Sequence, residues 1–140
     1  MKEPAAGFWL SHHHPSELHR TYSFSKWHVC ARCLGTYPTL MLALVWQQCA
    51  QAPLAAPWDL WGGVALLLPA LLDWAHGQLR PSSGNNPWRT VTGVGLGLAL
   101  GRSLYIHVHR PFPEVLVWQA GVVLAVALPV MLLRSWRSKG

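Results

Sequence analysis

Four long apolar stretches, separated by short polar connectors, dominate the chain. The stretch 122–133 is apolar throughout, whereas the strands of a membrane barrel alternate between apolar and polar positions. A helix needs about 20 mainly apolar residues to cross a bilayer, and only helices or closed barrels can do so. The pattern therefore predicts an all-α polytopic membrane protein, a bundle of four transmembrane helices. The predicted spans cover about 34–50, 58–75, 88–108 and 113–133.

Proline and asparagine mark the connectors between these spans. Pro53 and Pro57 follow the first span, the stretch 82–87 follows the second, and Pro111 and Pro113 follow the third. These residue types favour turns and end helices. The chain is accordingly divided into a polar N-terminal cap with His and Cys, a transmembrane domain and a basic tail, over 1–33, 34–134 and 135–140 respectively.

Composition agrees with a membrane protein. Only 11% of the residues are charged, against about 25% in soluble domains. The net charge of +6 does not indicate nucleic acid, because the basic residues form no run or stripe interleaved with aromatic residues. Membrane lipid is the expected partner.

The distribution of Lys and Arg predicts the orientation. Nine of the eleven precede the first span, flank the loop between the second and third, or follow the fourth, whereas the opposite connectors hold only Arg110. Because cytoplasmic loops are enriched in Lys and Arg, both termini and the 76–88 loop are predicted to be cytoplasmic, in a multi-pass protein of the inner membrane. The positions of the tryptophans agree with this orientation, because tryptophan is enriched at membrane–water interfaces. The inner interface would hold Trp27, Trp74, Trp88 and Trp136, and the outer interface would hold Trp46, Trp58 and Trp61.

A glycine stripe runs along the third span. Gly93, Gly97 and Gly101 recur every four residues, a spacing that lets two membrane helices approach closely. The stripe favours packing within the bundle, and a homodimer through the same glycines is the alternative.

The predicted topology gathers polar residues at the cytoplasmic face. Asp73, near the end of the second span, is a carboxylate inside the membrane and therefore a functional-site hypothesis. The alternative is that Asp73 only pairs with Arg32 or Arg89 and so stabilises the bundle. Asp59 and Arg102 lie in the outer half and are expected to pair with each other.

Cys30 and Cys33 are three residues apart, so on the first turn of a helix they would share a face. The chain has three cysteines, an odd number, and this pair faces the reducing cytosol, so a standing disulfide is not expected. The pair is interpreted as a metal site, a redox pair or inert packing. Tetrahedral zinc would be completed by imidazoles, with candidates at His12, His13, His14, His28 and His76.

Arg89, with Asn85 and Asn86 beside it, opens the third span. The free N–H groups of a helix amino end bind anions, so a lipid phosphate would fit there. An ordinary interfacial arginine is the alternative.

These residues resemble the domain of unknown function 2085 (DUF2085) family of small predicted membrane proteins. The resemblance is carried by His13 or His14 with Arg20, by the motif CARCLGTY over 30–37, by Asp73 with Gln78, by Asn85 and Asn86, and by RTVTG over 89–93 with Gly97. It covers about residues 12–101. The resemblance implies a membrane fold and this choice of site residues, and it implies no reaction.

The combined prediction is an integral membrane protein with a cytoplasmic-face site that binds zinc and acts in hydrolysis or transfer on a lipid-borne, phosphate-bearing substrate. The alternatives are a non-enzymatic scaffold with a structural metal site and a membrane thiol-disulfide oxidoreductase, and whether the protein is an enzyme is left open. The predicted metal ligands are Cys30, Cys33, His13 and His14; the catalytic residues are Asp73 as general base and Arg89; the substrate-binding residues are Asn85, Asn86, Arg32 and Gln78.

Overall fold

Four helices follow a short folded cap in the computed structural model, which describes residues 15–24, 27–80 and 85–137. The cap consists of a 3-10 helix and two short strands. In chain order the elements are the 3-10 helix Pro15–Arg20, β1 Thr21–Phe24, β2 Trp27–Cys30, α1 Ala31–Cys49, α2 Asp59–Leu79, α3 Asn86–His109 and α4 Glu114–Arg137. The helical prediction is thus confirmed, and each helix extends a few residues beyond its predicted span at one end or both.

A two-stranded antiparallel hairpin is the part of the cap that the all-α prediction missed. Thr21 pairs with Cys30 and Phe24 with Trp27. Strands of four residues are too short to display the alternation by which strands are recognised in a sequence. An isolated hairpin is at best marginally stable in water, so this one depends on its contacts with the helices.

The hairpin also changes the position of the first cysteine. Cys30 ends β2 with extended backbone (φ −57°, ψ 125°) and α1 begins only at Ala31. The expectation that both cysteines lie on one helical turn is therefore wrong in detail. They remain close, because the residue that precedes a helix lies near the third residue within it.

The amino end of α3 is capped by Asn85. The Asn85 side chain accepts a hydrogen bond of 2.9 Å from the Trp88 backbone N–H, and Pro87 occupies the first turn, where a missing N–H costs nothing. This capping residue determines where α3 starts and hence where Arg89 lies.

The centre of the bundle is α3, which packs against α1 and α2, while α4 packs mainly against α2. The glycine stripe makes the α1–α3 contact close. A Cβ at Gly93 would lie 2.5 Å from the Arg32 carbonyl oxygen, and one at Gly97 would lie 2.5 Å from that of Thr36. Packing of the stripe within the bundle is confirmed. A homodimer through the same glycines stays a prediction, and it would require α1 to give up this face.

Large apolar side chains cover the outside of the bundle. Among the described helices, α3 and α4 are long and apolar enough to cross a membrane. At about 1.5 Å per residue, a helix of their length extends roughly 36 Å. The prediction of four spans is confirmed only in this coarser form, because polar residues such as Gln47 in α1 and Asp73 and His76 in α2 lower the hydropathy of the other two helices.

The predicted pair at the far end of the bundle is confirmed. Arg102 Nε lies 2.7 Å from Asp59 Oδ1 and its Nη2 lies 2.8 Å from Oδ2. Arg102 also donates to Gln47 Oε1 at 3.2 Å and to the Pro53 carbonyl at 2.8 Å. One arginine thus connects α3 to α1, to α2 and to the loop between them.

Candidate functional site

Arginines from α1 and α3 meet one carboxylate at the other end of the bundle, and a third arginine lies beside them. Arg32 of α1 forms an ion pair with Asp73 of α2, and Arg89 Nε lies 3.9 Å from the same carboxylate oxygen. The side chains of Asp73 and Arg89 are each only 6% exposed. The helix ends that were predicted to meet do meet here, and pairing of Asp73 with Arg32, one of the two interpretations of this residue, is present.

Arg20 joins them from the cap. It ends the 3-10 helix, and its Nη2 donates a 2.9 Å hydrogen bond to the carbonyl of Gly77, one turn beyond Asp73 on α2. Arg20, Arg32 and Asp73 all lie close enough to Arg89 to interact with it electrostatically. We call Arg20, Arg32, Asp73 and Arg89 the arginine–aspartate cluster.

Hydrogen bonds from α3 hold the cap on the cluster. Asn86 Nδ2 donates to the Thr21 carbonyl at 3.0 Å. Thr90 Oγ1 lies 3.0 Å from the Ala31 carbonyl and 3.3 Å from the Tyr22 hydroxyl. The first two turns of α3 therefore bind both the hairpin and the start of α1, which places Arg20 and Arg32 against Arg89.

Two polar atoms beside these contacts have no partner. Asn86 Oδ1 and Arg32 Nε are buried and make no hydrogen bond within the part of the chain that the structure describes. One is an acceptor and the other is a donor. Buried polar atoms normally find partners, so these two atoms are exceptions.

The cysteine pair lies next to the cluster as two free thiols. Cys30 is buried and Cys33 is half-buried, and the two thiols are hydrogen-bonded to each other. Cys33 precedes the apolar stretch that begins at residue 34. Burial, followed by the neighbouring Cys30, raises the pKa of Cys33 to about 12. The thiol form is thus favoured over the thiolate that metals and disulfide exchange require.

The predicted zinc site lies partly outside the described residues. Within residues 15–24, 27–80 and 85–137, no group of three or more His, Cys, Asp and Glu side chains could hold an ion. His12, His13 and His14 lie outside the described residues. Zinc therefore stays a prediction, with two of its four proposed ligands in place.

Two predicted substrate-binding residues have other tasks. Asn85 is used as the cap of α3, and Gln78 accepts a hydrogen bond from Arg134 of α4. Arg32, by contrast, belongs to the cluster, and Asn86 is bonded to the residue that follows Arg20. Tyr22 was missed, because only the hairpin brings it to α3. Arg20 was connected with the site only through the family resemblance.

A family model described as a predicted membrane protein (DUF2085) matches residues 14–103. The match runs from the cap to the last third of α3 and includes every residue of the arginine–aspartate cluster. No curated protein and no solved structure matches the chain. With about two thirds of its length matched, the chain belongs to the DUF2085 family of predicted membrane proteins.

Proposed function

We propose that this protein crosses the inner membrane four times and that its arginine–aspartate cluster binds the phosphate of a lipid-borne ligand at the cytoplasmic face. The observation that carries the proposal is that Arg32 and Arg89 converge on the Asp73 carboxylate. Arg20 lies close enough to Arg89 to interact with it, and Arg89 is only 5% exposed. The positive charges of the three arginines outnumber the single negative charge of Asp73. The cluster therefore keeps positive charge that an external anion could balance.

The chemistry of arginine favours a phosphate. Burying a cation away from water is costly unless an anion accompanies it. The planar guanidinium donates two parallel hydrogen bonds to phosphate or carboxylate oxygens, and such charge-assisted bonds are the strong ones. Arginines from the cap, α1 and α3 approach from different directions, which suits a tetrahedral group with several oxygens.

The charge distribution supports a ligand in the membrane. In the sequence, the segments before the first span, from Asp73 to Arg89, and after the fourth span hold nine of the eleven Lys and Arg but three of the five Asp and Glu, whereas the rest of the chain holds two of each. The whole net charge is thus assigned to the face that the positive-inside rule makes cytoplasmic. Anionic head groups of that leaflet would be the nearest phosphates.

Binding has more support than catalysis. The predicted hydrolysis or transfer needs Asp73 as a base that faces the substrate, yet its Oδ2 is taken by Arg32 and lies 3.9 Å from Arg89 Nε. We therefore assign Asp73 to the charge balance of the cluster.

The test measures lipid binding by delipidated protein in zwitterionic nanodiscs that contain an anionic phospholipid. Arg89→Gln and Arg32→Gln are expected to weaken binding about 10- to 100-fold, the size of a charge-assisted hydrogen bond. Arg89→Lys keeps the charge but not the planar group that donates two parallel hydrogen bonds, so it should bind with intermediate affinity. Arg110→Gln, which removes an exposed arginine at the far end, is the matched control. Equal binding by all four variants, each shown to be folded by circular dichroism, would contradict the proposal.

A second candidate function rests on the hydrogen-bonded contact between Cys30 and Cys33. Two adjacent thiols suit either zinc or a reversible disulfide. Zinc stoichiometry of the purified wild type and of Cys30→Ser/Cys33→Ser separates the two. Zinc in the wild type alone supports the metal site, whereas a metal-free protein whose thiols oxidise reversibly supports the redox pair.

A further inference from the structure

The two unpartnered atoms, Arg32 Nε and Asn86 Oδ1, require different hydrogen-bonding groups on a ligand. Arg32 Nε is a donor, which any phosphate oxygen satisfies. Asn86 Oδ1 is an acceptor, and the oxygens of a phosphodiester cannot satisfy it because they only accept. An acceptor left buried without a donor costs binding free energy. A phosphate alone therefore fills only part of this site.

The orientation of the Asn86 amide is determined by its neighbour. Nδ2 donates to the Thr21 carbonyl at 3.0 Å, and rotating the amide by 180° would set two carbonyl oxygens against each other. Oδ1 is thus the atom directed away from Thr21. Asn86 and Arg89 are three residues apart on α3 and so share a face, while Thr21 directly follows Arg20. Asn86 thus lies one turn before Arg89 on α3 and is bonded to the residue that follows Arg20.

We propose that the ligand is a phosphate ester whose head group carries a hydroxyl, which donates to Asn86 Oδ1 while the phosphate binds the arginines. This inference rests on the proposed function and narrows its ligand class to hydroxylated phosphate esters such as a glycerol phosphate head group. A head group with an ammonium donor is disfavoured, because the three guanidinium groups repel it.

The test compares two lipids that differ only in the hydroxyl donor. Wild-type protein in phosphatidylcholine nanodiscs is titrated with phosphatidylglycerol or with phosphatidylmethanol, which has the same charge and no hydroxyl. Phosphatidylglycerol is expected to bind about 3- to 10-fold more tightly, the size of one neutral hydrogen bond. Phosphatidylserine, which has an ammonium group, is expected to bind more weakly than phosphatidylglycerol.

The outcomes separate this inference from the proposed function. Equal binding of phosphatidylglycerol and phosphatidylmethanol, both tighter than phosphatidylcholine, overturns the inference and leaves anion binding intact. Free glycerol phosphate, titrated into wild-type protein in phosphatidylcholine nanodiscs, distinguishes the source of the ligand. Binding of the free ester without binding of phosphatidylglycerol supports the same chemistry in a soluble ligand and overturns its lipid origin. Binding of neither the anionic lipids nor the free ester overturns both proposals.

A variant assigns the preference to Asn86. Asn86→Ala should bind phosphatidylglycerol and phosphatidylmethanol equally while keeping most of the wild-type affinity for phosphatidylmethanol. Gln48→Ala, an exposed amide at the far end of α1, should keep the full preference. A preference that survives in Asn86→Ala overturns the assignment, and the comparison of lipids on the wild type remains informative if Asn86→Ala does not fold.

Discussion

At the scale of single residues, the Asp73 carboxylate is shared between cations from two other helices. Arg32 binds its Oδ2, and Arg89 Nε lies 3.9 Å from the same oxygen. The carboxylate thereby offsets part of the positive charge that the fold brings together. The same carboxylate competes with any external anion for these guanidinium groups, so its removal should affect folding and binding in opposite directions.

We expect Asp73→Asn to lower the free energy of unfolding by about 3–5 kcal/mol, since breaking a buried ion pair leaves its partner uncompensated. The same change should raise the affinity for anionic lipid. Unfolding in detergent and nanodisc titration measure the two effects, with Glu114→Gln, an exposed carboxylate at the far end, as the control. Weaker lipid binding by folded Asp73→Asn would show that the carboxylate contacts the ligand.

The raised pKa of Cys33 gives a prediction about reactivity. Since burial raises this pKa from 9.0 to about 12, little thiolate is present near pH 8, and alkylation should be at least about 100-fold slower than for an ordinary thiol. Mass spectrometry can compare the alkylation rate of Cys33 with that of the exposed Cys49. Fast alkylation of Cys33 at pH 8 would instead favour the metal or redox interpretation.

The same raised pKa predicts how the free energy of unfolding depends on pH. Its contribution to stability is complete below pH 9 and is lost as the pH rises toward 12.

The residues of the site were predictable where helix geometry alone places them. Asp73 met Arg32 and Arg89 because three helix ends share one face of the bundle. Gln78 lies away from Asp73, because five residues at 100° each rotate a side chain about 140° around the helix. Its side chain instead accepts a hydrogen bond from Arg134 of α4. Asn85 was recognised as part of the turn but not as the capping residue of α3.

Close contact between helices is the feature that matters at the scale of elements. The backbones of α1 and α3 approach along the glycine stripe, and this contact sets the distance between Arg32 and Arg89. Four-residue spacing in the sequence was sufficient to predict a close contact, but it did not identify the partner helix.

Gly97→Ala should lower the free energy of unfolding by about 1–3 kcal/mol, the range for overpacking, because its Cβ would lie 2.5 Å from the Thr36 carbonyl oxygen. Gly121→Ala in α4 is the matched control, since nothing lies within 4 Å of the added methyl group. That control should gain about 0.5–1 kcal/mol from helix propensity. Thermal unfolding of both variants in one detergent tests the pair, and equal effects would argue against the α1–α3 contact.

The hairpin was beyond sequence reasoning for a physical reason. Its strands have four residues each, and its stability comes from contacts with α3 that are distant in sequence, such as Asn86 with Thr21. Tertiary contacts of this kind leave no local pattern. The element that completes the cluster with Arg20 is therefore the one that the pattern did not predict.

Net charge is distributed unevenly over the whole molecule, and this predicts its orientation. An alkaline phosphatase fused after residue 140 should be inactive, because this enzyme requires an oxidising compartment for its disulfides. The same enzyme fused after residue 55, in the connector between α1 and α2, should be active. A reversed pattern would place the cluster at the outer face and contradict the cytoplasmic assignment.

The number of helices and the assignment to membrane proteins could be predicted from the lengths of the apolar stretches. This is possible because only helices or closed barrels can span a bilayer. The two candidate spans in the structure, α3 and α4, are those with the least interrupted hydropathy. The proposed ligand chemistry, by contrast, followed only from atoms left without partners, and these exist only once the chain has folded.

The peripheral position of α4 has a consequence for biosynthesis. Every residue of the arginine–aspartate cluster precedes residue 90, and α4 packs mainly against α2. A ribosome that has released the first three helices into the bilayer has therefore already delivered all the groups of the proposed ligand site. We expect a chain that stops at residue 110 to capture anionic lipid in a cell-free translation with nanodiscs, so the last helix would arrive at a site already occupied.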